Sequence, residues 1–256
     1  MVDEQRSAVT EINATSGHLI RVVKSVNDGF DSPNAIAVGG SHVWITNGSL
    51  APTPPTPDGT TGNSVTELNA TNGALVRIIS SPKDKISIPD AVIVLGSNVW
   101  VGSTRNTRMV ELNASNGSLV WTTNGTGSFY SSPLALTVTG SNFWEANRYA
   151  VSEISGTTRA RRRTVSVDRG HRTEISEIAS NGSDAWVTNI AGNSVSEINA
   201  ATGARVRVLG AAAGMLTALQ GQGIALSAKD AWVTNLTKGV VVEVDITTGK
   251  LVRVIK

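Results

Sequence analysis

Apolar residues recur along this chain in two patterns, and both are typical of β-strands. Short continuous apolar runs, such as Ala35–Val38 and Ala91–Val94, predict strands that are buried on both faces. Segments such as Ser194–Asn199 alternate polar and apolar residues, which predicts strands with one buried face. No segment has a convincing helical period, and Ala211–Leu219 is the one candidate for a helical turn. The pattern therefore predicts an all-β protein.

The strand pattern repeats, and its clearest copy is Ala185–Arg207. A tryptophan strand is followed by a turn, an alternating strand with a glutamate, an Asn…Gly turn and a last strand. The glutamates are spaced by 56, 44, 42, 44 and 46 residues: Glu11, Glu67, Glu111, Glu153, Glu197 and Glu243. The tryptophans are spaced by 56, 44, 42 and 46 residues: Trp44, Trp100, Trp144, Trp186 and Trp232. A shared period of roughly 40–45 residues predicts the four-stranded blades of a β-propeller.

Five complete blades are predicted, and residues 1–256 are assigned to a single propeller domain. The approximate blade ranges are 33–80, 88–124, 132–167, 174–210 and 221–256. Residues 8–24 supply only the third and fourth strands of another blade, which we term a half blade. We expect the chain to be a piece of a longer propeller. The alternative is an open or five-bladed ring whose spare hairpin covers a strand edge.

Most repeated residues have a structural explanation. A tryptophan between polar flanks is expected to fill the wedge between twisted sheets. The repeated glutamate has an arginine ten residues later, as in Glu67 and Arg77, and the two predict a cross-strand ion pair in each blade. Trp121 replaces this arginine in one blade, and we expect it to be an aromatic residue of the outer surface.

Composition adds one anomaly. The chain has no cysteine, a formal charge of +2 and a pI of about 9.1. The basicity is local, because outside residues 159–172 there are 16 basic and 19 acidic residues. In this segment Arg161 and Arg162 replace an apolar pair such as Leu75-Val76, although the spacing of the repeat is kept. Compensating frame errors or a degenerate, solvated outer strand explain this better than a nucleic-acid or polyanion site at Arg161, Arg162 and Arg163, which lacks interleaved aromatic residues and a second basic face.

The variable positions of the repeat give the candidate ligand site. In a propeller, the loops that lead into the innermost strands surround the central channel, where ligands commonly bind. By alignment these positions are Asn34, Asp90, Leu134, Glu177 and Gln222, and they differ between blades while the framework repeats. Of these, the polar residues Asn34, Asp90, Glu177 and Gln222 are predicted to bind a small polar ligand. Arg105, Arg148 and Lys238 are expected on the same face, and a water-filled channel mouth without a ligand is the alternative.

No cofactor, metal ligand or catalytic residue is predicted. The three histidines, His18, His42 and His171, share no metal-like spacing.

The partners expected are an unknown protein or a small polar ligand, with self-association through open strand edges as a further expectation. The proline-rich loop Ser49–Gly62 is interpreted as an insertion over one face. The start of the chain has no signal-peptide pattern, and the chain has no apolar run of membrane-spanning length. The sequence does not assign a compartment, and an extracytoplasmic parent protein is compatible with it.

Three copies of a short motif carry a family resemblance. Trp44–Asn47, Trp186–Asn189 and Trp232–Asn235, followed by a V-(S/T)-E-I-N…T-G pattern with the repeated glutamate, resemble the YVTN-type β-propeller repeat with Trp in place of Tyr. The blades depart from it at Val101–Ser103 and Glu145–Asn147. The resemblance covers nearly the whole chain and implies an architecture shared by surface proteins, binding modules and some enzymes, without an activity. A more distant likeness to streptogramin-lyase propellers implies a histidine and an acidic metal ligand, and no position here matches that motif.

The sequence therefore favours a non-catalytic binding or scaffold module that presents a propeller face to a ligand or a protein partner. The first alternative is a lyase or hydrolase of streptogramin-lyase-like type, with its site at the channel mouth around Asp90 and Glu177. The second alternative is a truncated or frame-damaged product without an independent function.

Overall fold

A computed structural model describes residues 1–24, 29–48, 63–80, 85–123, 132–167, 173–210 and 223–256. These residues form antiparallel strands in six sheets, of which five have four strands and the first has three. The chain divides into two compact units, Met1–Pro133 and Leu134–Lys256. None of the described residues belongs to a helix long and apolar enough to cross a membrane.

The first unit contains sheets 1, 2 and 3. Sheet 1 consists of β1 (Val2–Asp3), β2 (Ala8–Ile12) and β3 (Leu19–Val23). Sheet 2 consists of β4 (Pro33–Gly39), β5 (His42–Gly48), β6 (Asn63–Asn69) and β7 (Leu75–Ile79). Sheet 3 consists of β8 (Pro89–Leu95), β9 (Asn98–Ser103), β10 (Arg108–Asn113) and β11 (Leu119–Thr122).

The second unit contains sheets 4, 5 and 6. Sheet 4 consists of β12 (Ala135–Thr139), β13 (Asn142–Ala146), β14 (Val151–Ser155) and β15 (Arg161–Val165). Sheet 5 consists of β16 (Ile175–Ser180), β17 (Asp184–Asn189), β18 (Ser194–Asn199) and β19 (Arg205–Gly210). Sheet 6 consists of β20 (Ile224–Leu226), β21 (Asp230–Asn235), β22 (Val240–Asp245) and β23 (Leu251–Ile255).

Each sheet is a propeller blade whose strands lie side by side in chain order. The all-β propeller prediction is confirmed, and every predicted complete blade contains a four-stranded sheet. The blade count was wrong, because there are six blades rather than five and a half. Sheet 1 gains a third strand where Val2 and Asp3 pair with Val9 and Ala8. A two-residue strand is too short to show a period, which is why the sequence did not reveal it. The predicted helical turn at Ala211–Leu219 and the loop Ser49–Gly62 lie outside the described residues.

The repeated tryptophans form the core between blades. Each stands opposite the repeated glutamate of the third strand, as Trp44 stands opposite Glu67. Four tryptophans are at most 1% exposed: Trp44, Trp100, Trp144 and Trp186. Trp44 packs in a cluster with Val92, Val99 and Val101 of the following sheet. The prediction that these rings are packing residues is confirmed.

The threonine and asparagine of the Trp-x-Thr-Asn motif also have structural roles. Sheet 2 has an irregularity in register between Pro33 and Ile36, and the Thr46 hydroxyl accepts a hydrogen bond from Ala35 N at 2.9 Å there. Thr188 and Thr234 make the same bond at 3.0 and 2.9 Å. Asn189 accepts a hydrogen bond from Glu174 N at 2.9 Å, just before its first strand. In sheets 2 and 5, whose first strands are irregular in register at this point, the motif therefore fixes the bulge at the start of the first strand.

The repeated glutamate and arginine form the predicted ion pair and also join neighbouring blades. Arg77 Nε lies 2.6 Å from Glu67, and its Nη2 donates to the carbonyl of Ser115 in the next blade at 3.0 Å. Arg21 reaches Thr71 O at 2.7 Å, and Arg207 reaches Thr247 O at 3.1 Å. We call this pair and its carbonyl contact the inter-blade clasp. The turn that supplies the carbonyl acceptor also contains the glycine of the Asn…Gly motif.

Candidate functional site at the start of the first strands

The structure brings together two of the predicted ligand-binding residues. Asn34 and Asp90 occupy the bulges at the start of β4 and β8, in neighbouring blades of the first unit. Asn34 Nδ2 donates a hydrogen bond to Asp90 Oδ1 at 2.6 Å. Burial raises the pKa of Asp90, and hydrogen bonds from Thr104 and Asn34 oppose this shift. The two side chains form a polar bridge between adjacent first strands.

Glu177 was aligned wrongly by one residue. Strand pairing places Ile175 opposite Asn189 and Glu177 opposite Thr188, whereas Pro33 lies opposite Asn47. Ser176 is therefore the counterpart of Asn34 and Asp90. Glu177 corresponds instead to four small residues, Ala35, Ala91, Ala135 and Gly223. The signal that identifies the register is the spacing to the tryptophan, because Asn34, Asp90 and Ser176 each lie ten residues before the tryptophan of their blade.

The side chain of Glu177 is partly buried on β16 with little to stabilise its charge. Its Oε1 accepts a hydrogen bond from Ile178 N at 3.1 Å. Burial raises the pKa of Glu177 to about 7, and the Ile178 N–H opposes the shift only in part. A carboxyl group whose pKa is raised in this way can exchange a proton closer to neutral pH than an exposed glutamate can.

The other residues predicted near the channel mouth differ in their contacts and exposure. Arg148, in the loop between β13 and β14, lies 2.6 Å from Glu174, which precedes β16, and its carbonyl accepts a hydrogen bond from Ile175 N at 3.1 Å. Leu134 lies directly before β12. Arg105 and Lys238 are exposed in turns. Gln222 and His171 lie outside the described part of the chain.

One buried carboxylate was not predicted as a candidate. Glu145 is completely buried on β13, where the equivalent residues of the other blades are apolar: Ile45, Val101, Val187 and Val233. Neither carboxylate oxygen makes a hydrogen bond of normal geometry. Burial raises the pKa of Glu145 to about 8, and the nearby Asn147 amide and Arg161 charge offset only part of the shift. The departure of Glu145–Asn147 from the repeat was the available signal.

The arginine segment forms an ordinary fourth strand. Arg163 Nε lies 2.7 Å from Glu153, in the position of Arg77 and Arg207, and Arg162 approaches the same carboxylate at 3.5 Å. Arg161 stands opposite Ile154, where sheet 2 has Leu75 opposite Leu68. Arg163 is thus part of the inter-blade framework, and Arg161 and Arg162 are the exposed members of the polyanion prediction.

Among the described residues, no group of three or more acidic or histidine side chains is placed to hold a metal ion. Trp121, which replaces the clasp arginine of sheet 3, is partly buried and packs at a tilt of 59° on Trp100, with 5.9 Å between ring centroids. The expectation of an exposed surface aromatic residue was therefore wrong in part.

The sequence matches no protein-family model and no curated protein.

Proposed function

We propose that this protein is a non-catalytic binding module of YVTN-like type whose small polar ligand contacts the Asn34–Asp90 bridge. The bridge itself carries the proposal, because it is a polar contact between two blades at positions that differ from blade to blade. The repeated Trp, Thr, Glu and Arg residues are engaged in packing, bulges and clasps. Positions that vary against such a constant framework are the ones available for recognition.

The chemistry of the bridge favours a ligand that donates hydrogen bonds. A carboxylate has about four acceptor sites, and Asn34 donates one hydrogen bond to Asp90, with the Thr104 hydroxyl as a second nearby group. A hydroxyl or ammonium group of a ligand can use the remaining capacity. Because Asp90 is partly desolvated, an approaching cation would interact with its carboxylate more strongly than with a fully hydrated one.

A thermal-shift experiment tests the proposal. The full chain is heated with a panel of polyols, free amino acids and small amines, and we expect at least one compound to raise the Tm. A ligand at 100 times its Kd adds about 2.7 kcal/mol to the free energy of unfolding. The shift should disappear in Asp90→Asn and persist in Glu4→Gln, which changes an exposed carboxylate. A shift that survives in Asp90→Asn, or a panel without any shift, would contradict the proposal.

The lyase or hydrolase alternative has one observation in its favour, which is Glu177. A carboxyl group with a pKa of about 7 suits general acid–base chemistry at neutral pH. If a streptogramin-lyase-like metal site includes this residue, Mg²⁺ or Mn²⁺ should raise the Tm of the full chain, and Glu177→Ala should remove the effect. Equal shifts in the two proteins, or no shift in either, would count against the enzyme.

A further inference from the structure

The Asn34–Asp90 bridge has more hydrogen-bond acceptors than donors. Asn34 Nδ2 donates to Asp90 Oδ1 at 2.6 Å, and within the described part of the chain the Asn34 carbonyl oxygen accepts no hydrogen bond. The Thr104 hydroxyl lies near Asp90 and also donates to the Ile88 carbonyl at 3.0 Å, so one proton serves two acceptors. The described residues therefore leave acceptor capacity unused on Asp90, Asn34 and Thr104.

The charge of Asp90 has no basic partner among the residues that the structure describes. Glu67 of the same unit pairs with Arg77 at 2.6 Å. No described lysine, arginine or histidine forms such a pair with Asp90, and the groups that oppose the burial-induced rise in its pKa are two neutral side chains, Thr104 and Asn34. A half-buried carboxylate without a countercharge favours a cationic ligand.

The framework of the repeat does not require an acidic residue at this position. The equivalent residues of sheets 2, 4 and 5 are Asn34, Leu134 and Ser176, each ten residues before the tryptophan of its blade. An amide, an isobutyl group and a hydroxyl are thus all compatible with the start of a first strand. The carboxylate of Asp90 is consequently a property of sheet 3 alone within the described blades.

The backbone that leads to Asp90 is held in an unusual conformation. Ile88 has a φ of +48°, in the left-handed region that β-branched residues rarely adopt. Its N–H donates to Asn63 Oδ1 of sheet 2 at 2.6 Å, and its carbonyl accepts a hydrogen bond from Thr104 N at 3.0 Å. Strained residues of this kind cluster at ligand sites. These bonds fix the segment before Asp90, which lowers the ordering cost of binding a ligand there.

We propose that the ligand of the Asn34–Asp90 bridge is a primary ammonium compound, an inference that rests on the binding function proposed above. An ammonium group has three N–H donors and no acceptor. It can donate to Asp90 Oδ2, Asn34 Oδ1 and Thr104 Oγ1 and at the same time supply the missing countercharge. A hydroxyl has one donor and brings further acceptors to a site that already has an excess of them.

A metal ion fits this site less well than an ammonium group. Ca²⁺ takes about six to eight oxygen ligands and usually several carboxylates. In the part of the chain that the structure describes, no three acidic or histidine side chains are grouped to hold a metal ion. Three acceptors with one carboxylate are instead the complement of a single ammonium group.

Three compounds that differ only at one end separate the ligand classes. Ethanolamine ends in an ammonium group, ethylene glycol in a hydroxyl, and choline in a trimethylated nitrogen that has charge but no N–H. Their binding to the full chain is measured at neutral pH by titration with saturation-transfer NMR. We expect ethanolamine to bind at least about tenfold more tightly than the other two, because charge-assisted hydrogen bonds are the strong ones.

The outcomes distinguish the ammonium group from the proposed function itself. Tighter binding of ethylene glycol would overturn the ammonium group and leave a small polar ligand at the bridge. Equal binding of choline, or displacement of ethanolamine by an equal concentration of Ca²⁺, would assign the site to charge alone or to a metal ion, and either would overturn it. No binding by any of the three compounds would also overturn it, whereas the proposed function fails only if the wider ligand panel gives no shift.

Substitutions that the repeat itself contains localise the binding. Asp90→Ser introduces the residue of sheet 5, and Asn34→Leu introduces that of sheet 4. Asp90→Ser should weaken ethanolamine binding at least about tenfold and Asn34→Leu by a smaller factor, since a hydrogen bond to a charged group is worth more than a neutral one. Glu4→Gln, an exposed change, should not weaken it. Circular dichroism checks that the variants fold, and unchanged affinity in Asp90→Ser would overturn the proposal.

Discussion

At the scale of single residues, Glu145 differs in chemistry from the residues at the same strand position of the other blades. Ile45, Val101, Val187 and Val233 are buried at a position where β13 has Glu145. A carboxyl group at this position loses its hydration and gains no hydrogen bond of normal geometry in return. Its protonation state consequently influences the stability of the fold.

Stability should fall as the pH rises through the range set by Glu145. The pKa of its carboxyl is raised from 4.5 to about 8 in the folded protein. Between these values the folded state holds a proton that the unfolded state has released, so the free energy of unfolding decreases with increasing pH. Glu177, with a pKa of about 7, contributes in the same direction. Urea unfolding between pH 5 and 9 measures the slope.

Replacing Glu145 with the valine of the other blades should stabilise the protein. We expect Glu145→Val to raise the free energy of unfolding by several kcal/mol at pH 9, less at pH 5, and to reduce the pH slope. Glu4→Gln, an exposed change, should leave the slope unaltered. A Glu145→Val protein with the slope of the original chain would show that the charge of this residue is compensated.

At the scale of elements, the turn glycines determine how closely successive blades approach. Gly203 has a φ of +73°, and a Cβ there would lie 2.5 Å from Cδ of Arg163, which pairs with Glu153 in the preceding blade. Gly17 has nearly the same φ, +71°, and open space around its missing Cβ. The two turns therefore differ in packing and share their backbone conformation.

This difference gives a matched pair of substitutions. Gly17→Ala should cost only the strain of a left-handed residue, roughly 1–2 kcal/mol. Gly203→Ala should cost at least about 1 kcal/mol more, because Arg163 must move away from Glu153. Urea unfolding of both variants at one pH measures the two losses. Equal losses would show that the clasp tolerates a methyl group.

The blades and the glutamate–arginine pair were predictable, because a strand period and two repeated residues mark each blade. The second half of the clasp was not, because its acceptor is a backbone carbonyl of the next blade, such as Ser115 O, and carbonyls leave no sequence signal. The misalignment of Glu177 was avoidable, because Asn34 and Asp90 each lie ten residues before the tryptophan of their blade, and the same count from Trp186 reaches Ser176. The bulge is shared by sheets 2, 3 and 5 and therefore does not change this spacing.

At the scale of the whole molecule, the small net charge depends on a few exposed arginines. The chain has 22 basic and 20 acidic residues. Substituting Arg161 and Arg162 leaves 20 of each, so two adjacent side chains on β15 decide whether the protein is basic at neutral pH. Arg163 is held against Glu153 and contributes less to the field at the surface.

Heparin chromatography separates local from overall charge. Arg161→Ala/Arg162→Ala should elute at lower salt than the original chain, because clustered charges focus the field that attracts polyanions. Lys229→Ala/Lys250→Ala removes the same charge from separate exposed positions and should shift elution less. Identical shifts would mean that the arginine pair is not a polyanion site.

The inter-blade clasp has a consequence for how such a protein can gain blades during evolution. Within each unit, a blade carries the arginine for the neighbour that follows it and the glycine turn for the neighbour that precedes it, as sheet 2 does with Arg77 and Gly73. A blade that carries both halves, such as sheet 2, would meet its own duplicate with matching halves if it were copied in tandem, whereas sheet 3 has Trp121 in place of the arginine. New repeats of the first kind can therefore be inserted by gene duplication without a compensating substitution, and the contact that orders the blades is inherited intact.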